Sequence, residues 1–305
     1  MNVQETSLLT KLQQNNCKAA IIPIHLLINL QQEMDELYNS GILSKNLIHK
    51  YLRHFYYDYS EVFPNAQSIL ITAVPQPMTI LRFTYRKKEQ RIVVPPTYIY
   101  TEAEKLVFNI VENELKKENY SFIRGKLPLK ILAVRSGLSQ YGRNNISYIS
   151  GMGSFYRLIA LISDMPCDNA TWQDIQMMPH CDNCWACLNN CPTKCIDIKQ
   201  KIIDASRCLT YINENSEPFP VWINDNWHNS LVGCIRCQLA CPQNRNQNIL
   251  TDYRDILDES DIDELLHANN FTKLPSKLCE ALKKINLNDY EIITLQRNLK
   301  ALLKY

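Results

Sequence analysis

Glycine is scarce in this sequence of 305 residues. Only 7 glycines are present, whereas glycine makes up about 7% of an average protein. Five of them, Gly125, Gly137, Gly142, Gly151 and Gly153, lie in one segment. Glycine is favoured where a backbone turns sharply or approaches another group closely. We therefore expect this segment either to form tight turns between strands or to lie against a bound group.

The sequence also lacks a long apolar run. The longest, residues 19–30, is interrupted by Pro23, His25 and Asn29, whereas a membrane-spanning helix needs about 20 predominantly apolar residues. Residues 1–7 show no basic segment leading into an apolar one, as a secretory leader would. We therefore expect a cytoplasmic protein without a membrane partner.

Neither sign of charge dominates, since the formal net charge is +2. The overall charge therefore indicates no nucleic-acid partner. Basic residues do gather in two places: Arg82, Arg86, Lys87, Lys88 and Arg91, and then Lys273, Lys277, Lys283 and Lys284. A solvated hairpin face explains the first group as well as a binding surface does.

Cysteine, in contrast, is abundant, with 12 residues. The first run has the spacing C-x2-C-x2-C-x3-C-P and consists of Cys181, Cys184, Cys187 and Cys191, followed by Pro192. In this pattern three thiolates bind one [4Fe–4S] cluster and the fourth binds another. A second run, Cys234, Cys237 and Cys241 before Pro242, lacks only the first position, which falls on Leu231. The spacing predicts two [4Fe–4S] clusters and an electron-transfer function.

Two clusters need eight thiolates, and Cys208, between the two runs, is the natural eighth ligand. The crossover pattern assigns Cys181, Cys184, Cys187 and Cys241 to cluster one, and Cys191, Cys208, Cys234 and Cys237 to cluster two. Cys195 is the nearest competitor for a ligand position, but it lies outside the spacing. Structural zinc prefers two separated C-x2-C pairs, and a disulfide framework is typical of small secreted domains. We expect Cys17, Cys167 and Cys279 to be small buried hydrophobic residues.

Hydrophobic periodicity predicts a mixed α/β region up to about residue 170. Helices are predicted at 7–15, 30–38 and 44–57, and from Thr101, where Glu104 completes a capping box. Strands are predicted at 19–24, 68–74, 91–94, 129–134, 145–149 and 155–162. Loops and short helices around the cysteines follow, and then a helical tail. We therefore expect three parts: residues 1–175, 176–250 and 251–305.

Three segments together resemble the epoxyqueuosine reductase family, cobalamin-dependent iron–sulfur enzymes related to corrinoid reductive dehalogenases. The first is the cysteine block, with the motif at 208–211 and the second run within 233–244. The second, residues 132–145, is similar to the family's glycine-rich pattern, and the third is Gly153-Ser154. The likeness extends over about residues 1–250. The glycine-rich segment discriminates this family from other ferredoxin-like proteins.

The resemblance implies a nitroreductase-like α/β domain that binds cobalamin, joined to a ferredoxin-like double [4Fe–4S] domain and a short helical C-terminal tail. It implies that the corrin would be lined by Tyr98, Arg135, Gly137, Leu138, Tyr141, Gly142, Arg143, Asn144, Gly153 and Ser154. The sequence contains no Asp-x-His-x-x-Gly motif, so the family implies base-off cobalamin. The glycines would then allow close approach of a flat macrocycle.

The sequence departs from the family at the proton donor. The family's catalytic aspartate falls near Ile123 or Arg124, and no Asp or Glu lies between Asn119 and Ser163. Tyr100 or Tyr141 is then the candidate proton donor, with Arg124 or Arg143 as the neighbouring cation. An arginine at the aspartate position favours an anionic small-molecule substrate.

The resemblance therefore predicts a cobalamin-dependent reductase fed by an electron donor such as ferredoxin or flavodoxin. Two alternatives remain open. One is a non-catalytic electron carrier or an activator that reduces the corrinoid of another protein. The other is reduction of epoxyqueuosine itself with a relocated proton donor, which would require a tRNA partner and a basic face.

Overall fold

The computed structural model describes residues 3–98, 101–167, 172–198, 202–245, 250–254, 256–288 and 290–304. The α-helices are α1 (Val3–Gln14), α2 (Leu27–Asn39), α3 (Lys45–Leu47), α4 (Thr101–Leu115), α5 (Leu129–Arg135), α6 (Ala186–Asn190), α7 (Leu209–Asn213), α8 (Arg236–Leu239), α9 (Glu259–His267), α10 (Ser276–Lys284) and α11 (Ile292–Leu303). The strands are β1 (Lys18–Pro23), β2 (Ser68–Pro75), β3 (Met78–Tyr85), β4 (Lys88–Val94), β5 (Phe122–Arg124), β6 (Gln140–Tyr141), β7 (Ser147–Tyr148), β8 (Tyr156–Ser163) and β9 (Leu250–Arg254). Within these described ranges, no helix is long and apolar enough to cross a membrane.

The chain divides into two compact units. The first comprises Met1–Pro75 and Glu102–Cys184, and the second comprises Gln76–Thr101 and Trp185–Tyr305. The boundary between Cys184 and Trp185 falls inside the first cysteine run. These units differ in extent from the three predicted parts. The segment 76–101 and the C-terminal helices both belong to the second unit, which also contains most of the cysteine loops.

The first unit is built on an antiparallel four-stranded sheet with the order β1-β2-β8-β5. Its inner strand β2 is mostly apolar, and every residue except its last is buried. Ile69 and Ile71 face a core that also contains Leu30 of α2. Leu70 and Leu161 face a second core on the other side, with α1 and α4. A sheet covered on both faces explains why apolar residues occur at successive positions of β2.

Most of the predicted elements of this unit are present, with shifted ends. The strands predicted at 19–24, 68–74 and 155–162 correspond to β1, β2 and β8, and the helix predicted from Thr101 is α4. The helix predicted at 44–57 is shorter, since α3 continues only into a π-helical turn, Ile48–Leu52. Of the strand predicted at 145–149, only the two residues of β7 are extended.

The strand predicted at 129–134 is wrong, because this segment forms helix α5. Pro128 precedes the helix, and its carbonyl accepts a hydrogen bond from the Leu132 amide at 3.2 Å. Proline is compatible with the start of a helix. Leu132 and Ala133 are fully buried in the first core. A short apolar run has no periodicity that separates a buried strand from a buried helix turn.

The second unit contains a three-stranded sheet with the order β4-β3-β9. Strands β3 and β4 form a hairpin whose turn residues Arg86 and Lys87 have φ values of 49° and 62°, as a tight two-residue hairpin turn requires. The predicted solvated hairpin is therefore present. Its buried face packs on the C-terminal helices through a core that includes Leu278, Leu282 and Leu295. The predicted helical tail is thus part of this unit's core.

Candidate double-cluster centre and adjoining loops

The four predicted ligands of cluster two lie in the second unit, each beside a short helix. Cys191 follows α6, Cys208 is the N-cap residue of α7, Cys234 lies just before α8, and Cys237 lies within it. Three of these thiols belong to one packed group of side chains, together with Cys195, with Cys187 of the cluster-one set, and with Leu188, Ile196 and Ile203. The short helices place cysteines from three separate parts of the sequence in one apolar environment.

Polar atoms within this environment reach the sulfur atoms. The Sγ atoms of Cys191 and Cys195 are 3.5 Å apart, and Thr193 Oγ1 is also 3.5 Å from Cys191 Sγ. On the second run, Asn229 Nδ2 donates a hydrogen bond of 3.2 Å to Cys234 Sγ. Apolar surroundings with a few donors to thiolate sulfur suit a [4Fe–4S] cluster, because such bonds stabilise its negative charge.

The same contacts shift the thiol pKa values. A hydrogen bond from Cys195 is the main cause that lowers the pKa of both Cys191 and Cys208 below the ordinary value of a thiol. Burial raises the pKa of Cys234 to about 11, against the opposing bond from Asn229. Cys191 and Cys208 thus favour the thiolate, the form that binds iron.

Helix α11 holds the two loops that carry Cys208 and Cys234. Asn298 is fully buried, and its Nδ2 donates hydrogen bonds of 2.8 Å to the carbonyls of Asn213 and Leu231. Asn213 Nδ2 in turn donates a bond of 2.8 Å to the carbonyl of Gly233. Two buried amides thereby connect the end of α7 with the segment before Cys234.

Only glycine fits at position 233 without strain, because of its backbone conformation and the nearby Tyr98 ring. The φ of Gly233 is +64°, and a Cβ atom there would lie 2.7 Å from ring carbons of Tyr98. The Tyr98 ring also lies 6.1 Å from that of Tyr290, and its hydroxyl donates a hydrogen bond to Glu214. Burial raises the pKa of Tyr98. Tyr98 thus packs against the loop that precedes Cys234, a role that the sequence did not indicate.

The cluster-one cysteines are divided by the boundary between the units, and their assignment stays a prediction. Cys181 ends a 3-10 turn in the first unit. Arg143 Nη2 donates a hydrogen bond to the carbonyl of Cys181, and the amide of Met178 donates one of 2.8 Å to the carbonyl of Tyr141. The glycine-rich segment therefore supports the chain that leads into the first cysteine run.

The glycines of this segment accommodate the protein's own side chains. At Gly137, which has a φ of +77°, a Cβ atom would lie 2.8 Å from Cδ of Gln173. At Gly142 it would lie 2.7 Å from the Tyr148 ring and 2.8 Å from Asn144 Oδ1. These contacts give both glycines a reason within the protein itself, and the predicted approach of a flat macrocycle to this segment stays a prediction. A larger residue at Gly142 would disturb the local fold before it affected any bound group.

Other residues predicted to line the corrin have partners within the first unit. Arg135 Nε donates a hydrogen bond of 3.0 Å to Glu33, and Asn144 Nδ2 donates one of 2.9 Å to the Tyr148 hydroxyl. Leu138 packs against the first core and Ser154 is buried. Gly153 has a φ of +64° and bridges back to Ile149 in a tight turn.

The two candidate proton donors differ in what the structure shows. Tyr100 lies outside the described residues. For Tyr141, burial raises the pKa, and the charge of Glu33 raises it further. The charge that shifts the pKa of Tyr141 is thus that of an anion, and its role as proton donor stays a prediction.

Comparison with known proteins agrees with this geometry. A sequence-family model described as a 4Fe-4S double cluster binding domain matches residues 180–244. The epoxyqueuosine reductase of Aliivibrio fischeri is 30% identical over 182 residues, which are 57% of this chain and 48% of that protein. The chain thus matches about half the length of this relative.

Solved structures extend the match to nearly the whole chain. Epoxyqueuosine reductase from Streptococcus thermophilus has a TM-score of 0.66 at 21% identity, covering 99% of this chain and 81% of that one. The resemblance to epoxyqueuosine reductases is confirmed. A further epoxyqueuosine reductase, solved with an epoxyqueuosine-modified tRNA-Tyr stem loop, has a TM-score of 0.63 at 18% identity and covers 98% of this chain and 80% of its own. At these identities the structures establish the shared fold, which confirms the predicted fold class.

The position at which the sequence predicts the family's aspartate to be replaced has a clear environment in this chain. Arg124 Nη2 lies 2.7 Å from Glu104 Oε1, and Arg157 Nη2 lies 4.0 Å from the same oxygen. Ile123 is half-buried against the first core. The sequence did not identify Glu104 as a neighbour of Arg124, because Glu104 lies on α4, well before the segment 119–163 in which no Asp or Glu occurs. Its carboxylate neutralises the cation that was expected to attract an anionic substrate.

The two basic groups are also partly neutralised. Arg82 pairs with Asp252 at 2.8 Å and Glu89 at 3.6 Å, and Lys277 pairs with Asp258 and Asp261 at 2.6 and 2.7 Å.

The sheet of the second unit also carries a row of arginines that the sequence did not predict. Across the sheet of the second unit, Arg82 lies opposite Arg91 on one side and Arg254 on the other. Three arginines therefore form a row across β4, β3 and β9.

Proposed function

We propose that this chain is an iron–sulfur oxidoreductase of the epoxyqueuosine reductase type. Two [4Fe–4S] clusters deliver single electrons for the reduction of an organic substrate. The observation that carries the proposal is the gathering of Cys191, Cys208, Cys234 and Cys237 in one unit, within the matched double-cluster domain. Cluster one is assigned to Cys181, Cys184, Cys187 and Cys241 by spacing.

Iron content tests the cluster assignment. Reconstitution without oxygen should give about eight irons per chain, and the Cys208→Ala variant should retain about half of them. Cys279→Ala is the matched control, since this thiol lies in the same unit but bonds to backbone carbonyls of Phe271 and Leu274. Full iron content in Cys208→Ala would show that the assignment of Cys208 is wrong.

The resemblance names cobalamin as the acceptor of these electrons, and we place its site in the first unit. When bound, cobalamin supplies a strongly reducing cobalt centre. The glycine contacts give this part of the proposal no support, so it depends on the resemblance of residues 132–145 and on the shared fold. Titration with cob(II)alamin, followed by electron paramagnetic resonance, is the direct test. An unchanged cobalt signal at saturating protein would favour the electron carrier or activator instead.

The substrate is proposed to differ from epoxyqueuosine in tRNA. The family's proton donor is absent from its expected position, and the pair of Arg124 with Glu104 occupies that environment. An arginine stays protonated near neutral pH, because its pKa is above about 12. A proton must therefore reach the substrate from another group.

The arginine row favours the alternative that the chain docks tRNA. A row of guanidinium groups is typical of surfaces that bind phosphate backbones, and such binding weakens as salt is raised. Loss of binding to a tRNA stem loop in the double variant Arg91→Ala with Arg254→Ala, but not in Lys277→Ala, would support it. If the wild type, the double variant and Lys277→Ala all bind the stem loop equally, and salt does not weaken this binding, the tRNA alternative is wrong.

A further inference from the structure

A fifth thiol lies among the ligands assigned to cluster two. Cys195 is 4% exposed. Its Sγ lies 3.5 Å from Cys191 Sγ, and Cys208 packs against the same cluster of buried side chains. The thiol thus lies among two assigned ligands that come from different parts of the sequence.

A [4Fe–4S] cluster needs four thiolates, which the assigned ligands already provide. Cys195 is therefore not needed to bind iron. A thiol carries one S–H donor, and a sulfur bound to iron still accepts hydrogen bonds. Donors to the sulfurs help to set a cluster's reduction potential, because they stabilise the reduced form, which carries one more negative charge.

We propose that Cys195 donates its S–H to a ligand sulfur of cluster two, Cys191 or Cys208, and thereby raises the reduction potential of this cluster. Cys195 is a positioning and tuning residue, and it binds no iron. The inference depends on the proposed function only for the presence of cluster two.

The test uses the reconstituted full chain and its variants Cys195→Ala and Cys195→Ser, with Cys279→Ala as the control. Iron is counted, and both clusters are titrated with dithionite under electron paramagnetic resonance. Cys195→Ala should keep about eight irons. One midpoint potential should fall by about 59 mV, equivalent to about a tenfold loss in electron affinity of a one-electron couple. The serine variant keeps a donor and should stay closer to the wild type.

The outcomes separate the inference from the function. If Cys195→Ala loses about half of its iron while Cys208→Ala keeps all of it, Cys195 is a ligand and the inference is wrong, although a two-cluster protein remains. Unchanged midpoint potentials in Cys195→Ala also overturn the inference. If the alanine variant does not fold, Cys195→Ser is compared with the apolar variant Cys195→Val. Equal midpoint potentials in these two variants, both below the wild-type value and both at full iron content, would overturn the inference. Wild-type protein that takes up only one cluster overturns the proposed function and the inference together.

Discussion

Asn229 connects three parts of the loop that precedes the second cysteine run. Its Nδ2 donates to Cys234 Sγ at 3.2 Å, and its Oδ1 accepts from the Ile235 amide at 3.1 Å and from the Ser230 hydroxyl at 2.9 Å. One side chain therefore orients a ligand sulfur and the backbone that follows it. Loss of a hydrogen-bonding partner of this kind typically lowers metal affinity about 10–100-fold.

We predict that Asn229→Ala lowers the midpoint potential of cluster two and reduces its iron occupancy about 10-fold or more at limiting iron. The ligand sulfur loses its donor, and the Ile235 amide loses its acceptor. Redox titration and iron analysis measure both effects. Asn226→Ala, an exposed position on the same loop, is the control, and equal behaviour of the two variants would contradict the prediction.

His228 gives a prediction about pH. Its Nδ1 and Nε2 atoms are buried and have no hydrogen-bond partner among the described residues. Burial lowers its pKa from 6.5 to about 4, against the opposing charge of Asp225, while Arg297 and Arg236 lower it further. Between these two values the unfolded chain binds a proton that the folded chain does not bind. Folding stability therefore falls as the pH drops from 6.5 to about 4.

The His228→Phe variant should lose much less stability over this pH range than the wild type, by on the order of 2 kcal/mol. Its ring would keep the contact with Phe219, whose ring centroid lies 4.5 Å from that of His228. Denaturant unfolding of the two reconstituted proteins at pH 7 and pH 5 measures the difference. Identical pH dependence would show that His228 is not the group responsible.

The double-cluster domain could be predicted from the sequence because its chemistry is encoded in short cysteine spacings. Asn229 and Glu104 could not, since their roles depend on partners that the fold brings to them. Glu104 lies 20 residues before Arg124 and meets it only because α4 packs beside β5. The glycines show the same limit, because their clustering indicated that a group approaches closely but did not indicate that the Tyr148 and Gln173 side chains do so.

Among the elements, helix α11 makes the contacts that were hardest to predict. Its periodic leucines indicated a helix, and Leu295 and Leu299 are indeed buried. Its polar residues gave no signal, although Asn298 bonds the carbonyls of Asn213 and Leu231 in distant segments. An apolar face is visible in a sequence pattern, whereas the partner of a single buried amide is not.

We predict that Asn298→Ala destabilises the chain by about 1–3 kcal/mol, because two buried carbonyls lose their donor. The same change should weaken iron uptake at cluster two. Gln296→Ala is a matched control on the same helix, since its Nε2 donates to the carbonyls of Leu265 and Ala268, away from the cysteine loops. Thermal unfolding and iron analysis of both variants are the measurements. A loss of iron that is equal in both would show that α11 acts only through general stability.

Helix α5 illustrates how local signals conflict. Its sequence, LKILAVR, has the composition of a strand as much as that of a helix. The deciding features are Pro128 before it and the first core of its unit, which buries Leu132 and Ala133 together.

Strand β9 was not predicted from the sequence. Its pairing partner β3 is distant in the sequence, and its exposed residues alternate with half-buried ones.

At the scale of the whole molecule, the proposed function requires the clusters, the cobalamin site and a proton source to work together. The cysteine runs and the matched double-cluster domain account for the clusters. The proton source is the most divergent of the three, because Arg124 and Glu104 form an ion pair where the family's acid is expected. The Glu104 carboxylate accepts a hydrogen bond of 2.7 Å from Arg124 Nη2, so this oxygen is already engaged with a cation.

We therefore predict that the wild-type chain, loaded with both clusters and with cobalamin, does not efficiently turn over tRNA that bears epoxyqueuosine. Queuosine is measured by mass spectrometry after reaction with dithionite as the reductant. The same sample must show reduced clusters and a cobalt signal by electron paramagnetic resonance, so that absence of product reports the chemistry and not incomplete loading. Arg124→Gln is the informative companion variant, because it frees the Glu104 carboxylate from its closest cation and should raise any residual turnover. Product formation by the wild type at the rate of a genuine epoxyqueuosine reductase would show that another group supplies the proton, and the proposal of a different substrate would be withdrawn.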